Sequence, residues 1–153
     1  FSKSLASLGG YMASSKTVCN YVRHHSRPFI FSASITPASV ATARTALNIL
    51  SNHPERVARL SEIANYMRTL LKEKGIKIIE STTPIIPIYV YEDETAFIAC
   101  KMLLERGVYV NPVISPATPK GYALLRTSYT ATHDKKDLKY ASEQIKEVLD
   151  ILK

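Results

Sequence analysis

The order of residue patterns along this chain predicts an α/β fold of the α+β two-layer kind, with helices covering one face of a short sheet. Three observations predict it. Apolar residues recur at helical spacing as far as Leu71. Beyond Gly75 the period changes to β-branched runs at residues 76–79 and 85–90. After those runs, helical and extended patterns alternate to the end of the chain.

Each element follows from its own residues. Residues 1–14 are small and carry Gly9-Gly10, which predicts a loop turning into a short strand. Ser15 can cap a helix over 16–25, where Val18, Cys19, Tyr21 and Val22 recur at helical spacing. Arg27-Pro28 is expected to stop it, leaving an extended, hydroxyl-rich loop over 29–36. Thr36-Pro37 opens a second helix, because a proline in the first turn lacks only an N–H that would go unused. Pro54 starts a third, with Val57, Leu60, Ile63, Ala64, Met67, Leu70 and Leu71 along one apolar stripe and Gly75 as its stop.

The second half alternates. Residues 76–79 and 85–90 read as strands or strand edges, interrupted by Pro84 and Pro87. A helix over 95–105 ends at Gly107, and residues 108–110 read as a short strand. Pro112, Pro116 and Pro119 mark a loop, residues 123–129 a strand, and residues 134–152 an amphipathic helix. No repeat or low-complexity stretch is visible.

Composition narrows the function classes. With 153 residues and 46% apolar side chains, the chain can bury a core, which excludes disorder and disulfide-scaffold folds. The net charge of +7 permits an anionic partner, but the lysines and arginines are dispersed, with no basic arm to hold nucleic acid. Cys19 and Cys100 are far apart and outside any CxxC pattern, as expected of reduced thiols in a cytoplasmic protein. No apolar run reaches the ~18 residues of a transmembrane segment, and no secretory signal opens the chain. The sequence starts without Met, inside what reads as a motif, so a fragment is expected.

Four places could carry chemistry. Lys3 lies between Ser2 and Ser4, just ahead of Gly9-Gly10. An imine-forming lysine needs a pocket that strips its proton, small hydroxyls to hold a phosphate, and glycines that let backbone approach. On the residues alone, an exposed lysine at a frayed terminus is the simpler reading. Arg126 lies inside an apolar strand, where a guanidinium needs a bidentate acid: a substrate carboxylate, a structural ion pair, or solvent at a sheet edge. Ser32, Ser34 and Thr36 precede a helix start, which suits a phosphate or ordinary capping. His133, before Asp134, either meets a ligand or joins a cap. No metal-ligand spacing, P-loop, GxGxxG or nucleophile elbow is present.

Taken together, three segments resemble the α-oxoamine synthase family. Phe1-Ser2-Lys3-Ser4-Leu5-Ala6-Ser7-Leu8-Gly9-Gly10-Tyr11 is similar to its cofactor-lysine segment. Arg27-Pro28-Phe29-Ile30-Phe31-Ser32-Ala33-Ser34-Ile35-Thr36-Pro37 resembles the loop that reaches the cofactor phosphate of the neighbouring subunit. Asn111-Pro112-Val113, Pro116-Ala117-Thr118-Pro119, Leu125-Arg126-Thr127-Ser128 and Ala131-Thr132-His133 resemble the carboxy-terminal substrate segment.

The resemblance implies the small carboxy-terminal domain of a fold-type I, pyridoxal 5'-phosphate-dependent transferase. Residues 1–35 would be the lysine loop and a remnant of the large cofactor domain, and 36–153 the small domain. It implies a homodimer that condenses an amino acid with an acyl-CoA, releasing CoA and usually CO2. Lys3 would hold the cofactor and then remove the α-proton, Ser32 would touch phosphate, and Arg126 and Thr118 would bind substrate. Ala33 stands where some members place a second hydroxyl. The family's aspartate at the pyridine nitrogen and its ring-stacking histidine would lie before Phe1, so residues 1–153 alone are expected to be inactive. A fold-type I aminotransferase using the same lysine and arginine, and a non-catalytic dimerisation or binding module, are the alternatives.

Overall fold

The computed structural model describes residues 1–152. The chain packs as two compact units, Phe1–Pro54 and Glu55–Lys153.

The first unit is helical. Ser15 caps α1 (Lys16–His25), its Oγ accepting from the Val18 N–H at 3.4 Å. Where an extended loop was expected, one turn of helix forms, α2 (Arg27–Ile30). Ser26 accepts from the Phe29 N–H and Pro28 occupies the first turn, so the proline initiates helix instead of ending it. α3 (Pro37–Asn52) starts at Thr36, whose Oγ1 accepts from the Ser39 N–H at 3.4 Å. Residues 11–14 form no strand, and no other strand exists among the described residues of this unit to pair with them. Ala43 is its one buried apolar residue.

The second unit holds the core. Its elements are α4 (Glu55–Glu73), β1 (Ile85–Tyr91), α5 (Asp93–Glu105), β2 (Asn111–Val113), β3 (Ala123–Ser128) and α6 (Lys135–Ile151). The strands make an antiparallel sheet in the order β1-β3-β2. Ile86, Ile88 and Val90 from β1 and Ala123 and Leu125 from β3 pack against Ile63, Met67 and Leu71 of α4, Leu103 of α5, and Leu138, Ile145 and Val148 of α6. Helices therefore cover one sheet face, the two-layer arrangement the patterns predict. Val57 is 49% exposed and lies outside the buried part of its stripe.

The expected strand at 108–110 lies three residues later, at β2. Val108 and Val110 are buried, but the Val108 N–H bonds back to the Leu103 carbonyl and closes the end of α5. Pairing with β3 begins only at Asn111. Both strand prolines, Pro87 and Pro112, stand on the flanking strands of the sheet, where a missing N–H is tolerated. Residues 76–79 contribute a single bridge, Ile78 to Ile88, beside β1.

Candidate functional site

In the first unit, Lys3 sits on a tight turn. Its carbonyl accepts from the Ala6 N–H at 3.0 Å, Ala6 takes a left-handed φ of 48°, and the Lys3 side chain is exposed. Ser7 Oγ donates to the Ser39 carbonyl at 2.7 Å and so ties this turn to α3. Gly9 has φ +106°, and a Cβ there would stand 2.3 Å from Ile35 Cδ1. The positive φ favours glycine here, and any other residue would also have to displace the Ile35 tip. Ser32 and Ser34 are exposed in that segment, whereas Thr36 is used as the α3 cap. The exposed amine of Lys3, between the exposed hydroxyls of Ser2 and Ser4, has the chemistry that a phosphorylated aldehyde needs: a nucleophile for the carbonyl and donors for the phosphate.

The second unit carries Arg126 on β3, the central strand, which removes the sheet-edge explanation. Its exposed side chain alternates with buried Leu125 and Thr127, so it stands on the face away from the helices. Pro87 and Asn111 are its register partners on either side. No described residue forms an ion pair with it. Thr118 follows a turn in which the Ala117 and Thr118 N–H groups both reach the Ile114 carbonyl, at 2.9 and 3.2 Å. Thr118 Oγ1 is buried without a hydrogen-bond partner, an orphaned polar atom of the kind that a ligand satisfies.

His133 is occupied locally. Its Nδ1 accepts from the Thr130 N–H at 3.2 Å, and its ring meets Tyr129 edge-on. Beneath the sheet, Tyr129 Oη donates to Thr127 Oγ1, which donates to the Ile86 carbonyl. Burial pushes the Tyr129 phenol up to about 12, against the opposing effects of the Thr127 hydrogen bond and the nearby Arg68 charge. Arg68 is itself buried; it donates to Asn65 Oδ1 at 2.6 Å and to the Thr83 carbonyl.

Lys3 and Ser32 thus belong to the first unit, and Thr118, Arg126 and His133 to the second. Sequence reasoning did not single out Asn111 as a site residue. The resemblance places it in the substrate segment without a role, and its position beside Arg126 comes only from the register of β2 on β3. Among the described residues no three His, Cys, Asp or Glu side chains gather to hold a metal ion. No helix of the described residues is long and apolar enough to cross a membrane.

Comparison with known proteins follows the same lines. The family model described as aminotransferase class I and II matches residues 1–145. The serine palmitoyltransferase of Bacteroides thetaiotaomicron is 43% identical over 145 residues, covering 95% of this chain and 37% of that protein. The 8-amino-7-oxononanoate synthase of Fervidobacterium nodosum is 37% identical over 147 residues, covering 96% and 37%. A high-resolution structure of SPT with PLP internal aldimine superposes with a TM-score of 0.88 at 32% identity, over 99% of this chain and 39% of that one. The chain spans 37% of the length of these curated relatives.

Proposed function

Because the chain belongs to the aminotransferase class I and II family, we propose that it is part of a pyridoxal 5'-phosphate-dependent acyltransferase of the α-oxoamine synthase kind. The reaction joins the α-carbon of an amino acid, serine on the strength of the 43% identical relative, to the acyl group of an acyl-CoA, with release of CoA. The observation that carries this reading is Arg126: an exposed guanidinium on a central strand, facing no acid of its own, in a chain matched along its length by such enzymes.

Lys3 would hold the cofactor through Nζ, and the same nitrogen, once free, would accept the α-proton of the amino acid. The cofactor supplies an electron sink that stabilises negative charge at the α-carbon. Arg126 clamps the substrate carboxylate in a two-pronged grip, which fixes the rotation of the α-carbon and so the bond presented for cleavage. Thr118 offers its orphaned hydroxyl to the same substrate. Ser32 would donate to the cofactor phosphate of a second subunit, a role that needs a homodimer as the working form, in the cytoplasm. In this reading residues 1–35 complete the large cofactor domain and 36–153 form the small one.

The test is borohydride reduction of the intact enzyme in the presence of the cofactor, followed by peptide mapping. One reduced adduct on Lys3 is expected. Label scattered over surface lysines would overturn the reading in favour of a binding module. Adduct on Lys3 with no CoA release, but with turnover of a 2-oxo acid, would make the protein an aminotransferase instead.

A further inference from the structure

We propose that Asn111 is a second carboxylate-binding residue, acting beside Arg126 and held in place by Tyr109. The inference rests on the carboxylate role of Arg126 above and gives a role to a residue that the resemblance places in the substrate segment without one. Asn111 and Arg126 are direct register partners in the β2–β3 antiparallel pair. Side chains so placed leave the same face of the sheet with Cβ atoms about 5 Å apart. Tyr109 Oη donates to Asn111 Oδ1 at 3.0 Å, which anchors the carbonyl end of the carboxamide.

The Asn111 NH2 group makes no hydrogen bond to a described residue and keeps its two donors. Arg126 is a pure donor and has no ion-pair partner among the described residues. The guanidinium and the NH2 group together offer donors from neighbouring strands to one acceptor, and a carboxylate is the acceptor that gains most from both. On the other side of Arg126 stands Pro87, whose ring offers no hydrogen bond, so the polar contact is one-sided. A carboxylate bridging Arg126 and Asn111 satisfies both, with Tyr109 as the positioning residue that prevents the amide from flipping.

The experiment titrates the intact, cofactor-loaded enzyme with serine and with serinamide, following the change in cofactor absorbance on binding. Asn111→Ala is expected to weaken serine about tenfold or more, leave serinamide binding unchanged, and leave cofactor retention intact. Asn111→Asp, which places a like charge against the carboxylate, is expected to weaken serine further. Tyr109→Phe is expected to weaken serine in the Asn111 protein and to have no effect in the Asn111→Ala background. Serine affinity unchanged in Asn111→Ala while Arg126→Ala is crippled overturns this proposal and leaves the proposed function standing. Serine affinity unchanged in both overturns the carboxylate site itself. Equal losses for serine and serinamide overturn it too, since they signify distortion of the strand and not recognition of charge.

Discussion

Thr127 Oγ1 donates to the carbonyl of Ile86, its register partner across the β1–β3 pair, at 2.7 Å, and accepts from Tyr129 Oη at 2.9 Å. Both bonds lie under the sheet, one residue from Arg126, and Thr127 is 4% exposed. Thr127→Val keeps the shape and deletes the oxygen, stranding the Tyr129 hydroxyl. The expected loss is about 1–3 kcal/mol in urea unfolding, with Thr127→Ser recovering most of it. In the Thr127→Val background, Tyr129→Phe should cost less than it does in the parent chain, because the hydroxyl has already lost its acceptor.

The phenol of Tyr129 gives a pH signature. Its folded pKa, about 12, lies above the ordinary 10.0, chiefly because burial disfavours the phenolate. A raised folded pKa means the unfolded chain releases its proton first. The contribution to stability is therefore complete below pH 10 and is lost as pH rises from 10 towards 12. Unfolding midpoints across that window should fall for the parent chain and fall less steeply for Tyr129→Phe. Parallel slopes would disprove the assignment.

Helix ends were the legible part of the fold. Ser15, Thr36 and Asp134 each cap with a side-chain oxygen, and Gly75 and Gly107 take positive φ just beyond their helices. These effects are local, so residue type reveals them. The strand at Asn111 was not legible: Val108 and Val110 carry the β-like pattern, yet ladder bonds begin only where β3 lies alongside. The one-turn α2 was missed because Pro28 signals a helix start as readily as a stop. In the candidate site, residue type marks Lys3 and Arg126, and the resemblance supplies their roles. The resemblance also names Thr118, to which the structure adds a buried hydroxyl without a partner, whereas the pairing of Asn111 with Arg126 required a cross-strand register that residue order does not contain.

Gly9 tests the lysine loop. Alanine there combines an unfavourable φ of +106° with a Cβ 2.3 Å from Ile35 Cδ1. The isoleucine tip can move, but the backbone strain stays. Gly9→Ala is expected to cost about 1–2 kcal/mol locally, seen as faster proteolysis within residues 1–36. Adding Ile35→Val should restore part of the protection, since it removes the nearest atom, Cδ1, and leaves the backbone strain. Full restoration would mean that φ carries no cost at this position.

Arg126 separates substrate from cofactor. Arg126→Lys keeps the charge and loses the planar fork, so in the intact enzyme serine should bind about ten- to a hundredfold more weakly. Cofactor retention through gel filtration should not change. Arg126→Ala should be worse for serine and again neutral for the cofactor. Equal losses of both ligands would contradict a carboxylate role.

The first unit should drive self-association of the 153-residue chain. Leu8, Tyr11, Phe29 and Phe31 are 77%, 80%, 62% and 79% exposed, while Ala43 is the unit's one buried apolar residue among those described. Aromatic surface of this kind gains about 1.5–3 kcal/mol per side chain when covered, more than loop ordering costs at one or two residues. Sedimentation velocity should show mass rising with concentration, and Phe29→Ser with Phe31→Ser should reduce it without altering helix content. A single monomeric boundary at high concentration would refute the expectation, because surface this apolar would then be stable in water uncovered.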